Sequence, residues 1–231
     1  MASCTIHRLA EHALLCSVPP PASLDVQRHF WAMADQAGAW PGVVDAYPGM
    51  NSLTVLFDDE ADPAGLETSL KRAWEQGEGG ESGNASGRIV EIPVRYGGDD
   101  GPDLADVAAH TGLTPDEVVR RHSAGTYTVY FLGFQPGFAY LGGLDPALAT
   151  PRRAEPRLAV PAGAVGIGGE QTGVYPAAAP GGWQLIGRTE LALFEPERDP
   201  PSLLAPGDTV RFVVESIAES VTGSIATPVR P

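Results

Sequence analysis

Lysine is almost missing from this chain of 231 residues, where Lys71 stands alone. Lys and Arg together number 15 against 29 Asp and Glu, a net charge of -14. Phosphate backbones are held by clustered cations, so nucleic-acid binding is excluded, and the acidity reads as a solubility feature. Long apolar runs are missing too: no segment approaches the roughly 20 residues of a membrane span. The apolar segment 13–18 is short and lies behind Arg8, Glu11 and His12, which is not the pattern of a secretory leader. Cysteine is scarce. Cys4 and Cys16 have no CxxC spacing and no histidine at metal-ligand distance, so they read as two free thiols in a reducing cytoplasm. A nucleotide loop of the form GxxxxGK[ST] does not occur, since Leu70 precedes the one lysine.

Glycine and proline, by contrast, are concentrated. The stretch 133–190 carries twelve of the 28 glycines and seven of the 22 prolines, yet Phe134, Phe138, Tyr140, Tyr175 and Trp183 punctuate it. A flexible linker lacks such aromatics and the regular Val, Ile and Leu positions between them. The pattern therefore predicts a folded β structure in which glycines serve turns and close backbone approach.

The first ninety residues alternate differently. Residues 5–9 and 13–18 read as strands, and Val26, Phe30, Met33, Ala34 and Ala37 mark a helix from Leu24 to a stop at Gly38. Strands over 43–46 and 52–57 flank a Pro-Gly-Met-Asn turn, and a second helix opens at Pro63 with Leu66, Leu70 and Trp74 inward. This predicts a small α+β sandwich of ferredoxin-like type. Residues 75–87 hold no large apolar side chain and read as a linker, placing one domain at 1–87 and a second at 88–231.

The second domain opens with an alternating strand over 88–96, where Pro93 predicts an edge or a bulge. Two short helices follow, the first stopped near Gly112 and the second opened by the capping box Thr114-Pro115-Asp116-Glu117. Their spacing imitates a helix-turn-helix. However, Asp116 and Glu117 stand where a recognition helix needs cations or amides, so DNA reading is excluded. His122 closes the second helix just before a strand over 127–132. At that junction it either caps the helix or faces the adjoining cleft, where an imidazole exchanges protons near neutral pH.

The motifs GFQPGFAYLGGL, VPAGAVGIGGEQTGVYP and PGGWQLIGRTEL, the arginine-rich 151–157 and the closing Pro206-Gly207-Asp208 together resemble the family of 5-oxoprolinase B subunits. That family is also called allophanate hydrolase subunit 1, or KipI-type. Ala164 replaces a serine frequent in similar sequences, and no Gly-Asp turn separates the first two strands. The resemblance implies a mostly-β, cyclophilin-like barrel after the N-terminal domain. It also implies partners: a C subunit, which is allophanate hydrolase subunit 2-like, and an A subunit. With them 5-oxoproline is opened to glutamate at the expense of ATP. Relatives inhibit a sensor histidine kinase or form part of allophanate hydrolase and urea carboxylase systems, and fold does not choose among these roles.

Among the polar residues in the glycine-rich stretch, Arg157 and Arg188 suit recognition of an acidic substrate through their planar forks. Gln135 and Gln171 suit an amide or lactam edge, and Tyr140 and Tyr175 suit the walls of a site. His122, Gln135 and Arg188 are the catalytic candidates; Arg157, Gln171, Tyr140 and Tyr175 are the substrate-binding ones. Gly166-Ile167-Gly168 fails the dinucleotide pattern because Gln171 occupies the third glycine position. No Ser/His/Asp triad or metal cluster can be assembled. The resemblance implies ATP, and with no recognisable nucleotide loop in this chain that ATP is read as used by the complex, the site being one part of a composite.

Overall fold

A computed structural model describes residues 3–21, 23–77 and 87–218. Residues 78–86, most of the expected linker, lie outside the described residues.

The N-terminal region pairs two hairpins. Strands β1 (Thr5–Ala10) and β2 (Ala13–Ser17) form the first, β3 (Val43–Gly49) and β4 (Ser52–Phe57) the second. They join in one antiparallel sheet of order β1-β2-β4-β3. Helix α1 (Leu24–Ala37) starts where the Ser23 hydroxyl accepts from the Val26 amide. Helix α2 (Pro63–Glu75) is opened by Asp62, with proline in the first turn where its missing N–H costs nothing. Phe30 and Met33 of α1 and Leu66, Leu70 and Trp74 of α2 are buried with Leu14, Leu53, Val55 and Phe57 of the sheet. The chain order is ββαββα rather than the βαββαβ of a ferredoxin-like sandwich. One split unit is present, β2-α1-β3 with β4 inserted between its strands. Periodicity revealed which segments are strands and helices but carries no information on which strand lies beside which.

Cys4 and Cys16 are joined in a disulfide rather than free. The β1–β2 register sets Thr5 opposite Ser17 and Ile6 opposite Cys16, which leaves the two Cα atoms 6.4 Å apart. That separation suits a bridge. A separation of twelve residues in sequence gave no hint of it, because the hairpin register makes the two cysteines neighbours.

The second region is a closed barrel. Its strands are β5 (Ile89–Tyr96), β6 (Tyr127–Leu132), β7 (Ala139–Gly142), β9 (Ala164–Gly168), β10 (Gln171–Val174), β12 (Gln184–Arg188) and β13 (Thr209–Ile217). They follow one another as β10-β7-β6-β13-β5-β12-β9, and the β9–β10 hairpin closes the ring. Among the described strand pairs only β5 and β13 run parallel. A short ladder, β8 (Arg157–Val160) with β11 (Ala179–Gly181), stands apart from the ring. Pro93 is accommodated without an edge, because β12 pairs β5 only at Arg95 and Tyr96.

Helices α3 (Leu104–Thr111) and α4 (Pro115–Ala124) pack Leu104, Val107, Val118 and Val119 into the same core as Val94, Val129, Ile186 and Phe212. Gly112 ends α3 in the left-handed region at φ 70°, where glycine carries no Cβ penalty. Thr114 caps α4 by accepting from the Glu117 amide. The Glu117 carboxylate does not return to the cap. It bonds Arg120 and Arg121 instead and is held down to about 2 by them.

The two cores share no residues. Gln27 Nε2 and Trp31 Nε1 of α1 both donate to the carbonyl of Tyr130 on β6, at 3.1 and 2.7 Å. These two bonds tie the N-terminal sheet to the barrel wall beside the cleft described next.

Candidate functional site

The β9–β10 hairpin presents Gly168 opposite Gln171, and the turn between them is Gly169-Glu170. Gly169 exchanges backbone bonds with Thr150, which fixes the turn against the chain leading to Arg152. Facing this end of the barrel is the β3–β4 turn of the N-terminal sheet. Between them lies a cleft of about 820 Å³ lined by Met50, Asn51, Tyr130, Arg152, Glu170 and Gln171. Asn51 holds a left-handed φ of 54°, a conformation that asparagine tolerates better than most residues.

A second, smaller hollow of about 140 Å³ is walled by Phe134, Phe138, Tyr140, Tyr175 and Trp183. The rings meet edge to face around Phe138, at 5.0 Å from Tyr140, 5.4 Å from Tyr175 and 5.5 Å from Trp183. Such contacts are favoured by the ring quadrupoles. Gly168 makes room for this cluster, since a Cβ there would stand 2.5 Å from the Trp183 indole nitrogen. Arg152 lines both hollows, and its guanidinium lies 5.9 Å from the centre of the Trp183 ring. Burial raises the Tyr140 and Tyr175 phenols above their ordinary value, and the Arg152 charge opposes the rise at both. Both tyrosines are thus neutral hydrogen-bonding walls at physiological pH.

The seven candidate residues are not gathered in one place. Gln171 lines the large cleft, while Tyr140 and Tyr175 wall the small pocket. Gln135 supports that pocket from behind. Its amide donates to the Ala177 carbonyl at 3.2 Å, tying the loop of Phe134 to the loop after Tyr175. Arg188, half-buried, donates to the Ala162 carbonyl at 3.1 Å. Arg157 is engaged elsewhere: with Arg153 it grips the Oδ1 of buried Asp103, at 2.7 and 3.1 Å. The second oxygen of Asp103 accepts the Leu185 amide, so the carboxylate locks the segment 152–157 against β12.

His122 neither caps α4 nor lines either hollow. Its ring is fully buried within the barrel, 4.4 Å from that of Phe212. Its Nδ1 lies 2.8 Å from the Tyr96 hydroxyl and its Nε2 lies 2.9 Å from Thr172 Oγ1. The Thr172 hydroxyl gives its proton to the Gly166 carbonyl, so it accepts from Nε2–H, and Nδ1 accepts from Tyr96. Desolvation pushes the imidazole down to about 3, and the ring is neutral.

Asn51, Arg152 and Trp183 were not among the candidates. Asn51 read as a turn residue and Trp183 as one of the aromatics of the glycine-rich stretch, and only the tertiary fold brings them beside Gln171 and Tyr175. Among the described residues no cluster of His, Cys, Asp or Glu suits a metal ion, and no helix is long and apolar enough to cross a membrane.

The family model of the carboxyltransferase domain, subdomain C and D, matches residues 4–204. A protein of Escherichia coli O157:H7 named as the B subunit of 5-oxoprolinase is 55% identical over 206 residues, covering 89% of this chain and 93% of that protein. A protein of the same name from Haemophilus influenzae is 50% identical, covering 90% and 97%. Among solved structures, a conserved uncharacterized protein of Pyrococcus horikoshii superposes with a TM-score of 0.55 at 43% identity, over 92% of this chain and 98% of that one. K. lactis urea amidolyase superposes with a TM-score of 0.75 at 20% identity, over 92% of this chain but 15% of that much longer one, a likeness of fold alone. The chain belongs to the family of the carboxyltransferase domain, subdomain C and D, in company with the proteins named as B subunits of 5-oxoprolinase.

Proposed function

We propose that this chain is the B subunit of an ATP-dependent 5-oxoprolinase. With separate C and A subunits in the cytoplasm, it opens the lactam of 5-oxoproline to glutamate. The observation that carries this reading is identity of half or more along nearly the full length of two proteins bearing that name. The geometry agrees with a share in a small-molecule site, because the cleft between the sheet and the barrel has the size and mixed lining of a ligand pocket. In this reading Arg152 and Gln171 bind in that cleft and Tyr140 and Tyr175 in the adjoining small pocket, while Gln135, Arg157 and Arg188 hold nearby loops in place. His122 acts at one remove, through Thr172, on the strand that begins with Gln171.

Among the described residues the glycine-rich run does not fit the phosphates of ATP. The glycine-rich run 166–169 ends in a hairpin, with strand β10 following where a phosphate cradle needs a helix N-terminus. Phosphoryl chemistry is therefore assigned to a partner, and the chain by itself is inactive. In this reading residues 1–87 and 88–231 are two domains, with the boundary at 75–87.

The test is to purify the chain with its C and A subunits and measure 5-oxoproline-dependent ATP hydrolysis. Turnover by the assembled complex is expected, and its absence from an intact mixture refutes the reading. The competing roles separate in the same preparation. Inhibition of histidine kinase autophosphorylation, or a requirement for a biotin carrier, would move the chain to the KipI-type or urea carboxylase branch.

A further inference from the structure

Six buried side-chain nitrogen and oxygen atoms have no hydrogen-bond partner among the described residues, and two of them belong to residues lining the large cleft. They are Asn51 Oδ1, from the turn of the N-terminal sheet, and Gln171 Nε2, from the first position of β10. One is an acceptor and the other a donor. Leaving a buried polar group unmade costs about 1–3 kcal/mol, so two such groups of opposite polarity on one cleft are an expense that folding alone does not explain. An amide supplies both complements at once, an N–H for the asparagine oxygen and a C=O for the glutamine nitrogen. Both atoms are shielded from solvent as they stand, and because terminal amide torsions are soft, rotation of the two amides turns them into the cleft when a ligand enters.

We propose that this cleft binds a small acid carrying an amide or lactam, read by Asn51 and Gln171 together, with Arg152 receiving its carboxylate. Arg152 is exposed at the rim of the cleft and held over the face of Trp183, which places its fork without consuming its donors on a protein carboxylate. The exposed Glu170 beside Gln171 is the acidic group of the lining, and it disfavours ligands with more than one negative charge. The volume of about 820 Å³ exceeds that of a five-membered lactam several-fold, so selectivity lies in these polar groups rather than in shape. Because the two amides come from the sheet and from the barrel, the ligand bridges both. The bonds from Gln27 and Trp31 to the Tyr130 carbonyl then set the width of the site.

The inference rests on the reading of this chain as part of a 5-oxoprolinase, but its test does not use turnover. The full chain, without partners, is titrated calorimetrically with 5-oxoproline, with 2-pyrrolidinone, which lacks the carboxylate, and with cyclopentanecarboxylate, which lacks the amide. Saturable binding of 5-oxoproline is expected. Gln171→Glu, which turns the donor into an acceptor, and Asn51→Gly, which keeps the left-handed backbone, should each weaken it tenfold or more. Arg152→Gln, at an exposed position that leaves the fold intact, should weaken 5-oxoproline and leave 2-pyrrolidinone unchanged. No saturable binding by the wild-type chain overturns the proposal. So does cyclopentanecarboxylate binding as tightly as 5-oxoproline, or an Arg152→Gln chain that binds 5-oxoproline like the wild type. If the chain binds as described while the assembled complex fails to turn over, the cleft assignment stands and the 5-oxoprolinase reading fails.

Discussion

Inside the barrel, His122 Nε2 stands 2.9 Å from Thr172 Oγ1, and Thr172 passes its own proton to the Gly166 carbonyl. The two residues join α4 to β10 through a fully buried bond next to Gln171 in sequence. Tyr96 completes the chain on the other ring nitrogen, and burial holds its phenol above the ordinary range, so it remains a donor at any physiological pH. Every polar atom of the imidazole is satisfied, but only while the ring is neutral.

That condition gives a pH dependence. The imidazole titrates near 6.5 when unfolded and is pushed down to about 3 when folded. Between those values the unfolded chain binds one more proton here, so stability is complete above pH 6.5 and declines as pH falls. The decline is at most about 1.4 kcal/mol per pH unit for one proton. Glu117, held at about 2 by Arg120 and Arg121, begins its own loss only below about pH 4.5. Denaturant titrations at pH 7, 6 and 5 should therefore show a slope in the wild type that His122→Gln removes. Equal slopes in the two proteins would place the acid sensitivity elsewhere.

The carboxylate of Asp103 is the next test. It is almost fully buried and accepts from Arg153, Arg157 and the Leu185 amide. Replacing it with asparagine leaves two guanidinium groups facing a neutral amide. Breaking a buried pair costs about 3–5 kcal/mol, and partial exposure of both arginines reduces this to roughly 2–3 kcal/mol. Arg153→Gln, by contrast, leaves Arg157 in place and should cost under about 1 kcal/mol. Thermal melts of the two variants check the order; a larger loss from Arg153→Gln would contradict the geometry.

These two clusters also mark what the sequence allowed and what it hid. Local signals were sound: helices start at Leu24 and Pro63 as their patterns predict, Thr114 caps the one its box predicts, and Gly112 ends another. The alternation over 88–96 is a strand, and burial falls on its Ile92, Val94 and Tyr96 side. The failures are all non-local. Arg157 looked free for a substrate because its partner, Asp103, lies 54 residues away. Cys4 met Cys16 through hairpin register, and β1 joined the outside of the N-terminal sheet rather than following the βαββαβ order. Asn51 and Gln171 lie 120 positions apart, and neither residue's spacing discloses that both line one cleft.

Gly163 supports a prediction about the backbone. It sits at φ +79°, and a Cβ there would press into the Thr189 carbonyl, a backbone atom that cannot swing aside. Its own carbonyl accepts the Thr189 amide at 2.9 Å, so the contact joins the approach to β9 with the end of β12. Left-handed backbone alone costs an L-residue roughly 1–2 kcal/mol. Gly163→Ala should lose more than that in a denaturant titration. A loss below about 1 kcal/mol would mean that the segment relaxes and that glycine is not required.

The tie between the sheet and the barrel yields the last prediction. The Tyr130 carbonyl receives two donors, Trp31 Nε1 at 2.7 Å and Gln27 Nε2 at 3.1 Å, while Gln27 also reaches the Gly49 carbonyl at 3.3 Å. Trp31→Phe removes the shorter bond and keeps an aromatic ring in the same place. The carbonyl retains its Gln27 partner, so the stability cost should stay near about 1 kcal/mol. The effect on ligand binding should be larger in proportion, since Tyr130 lines the cleft whose two walls these bonds align. Titrating Trp31→Phe with 5-oxoproline should show weaker binding at nearly unchanged thermal stability. Unaltered affinity would mean that the rest of the contact between sheet and barrel holds the cleft without this bond.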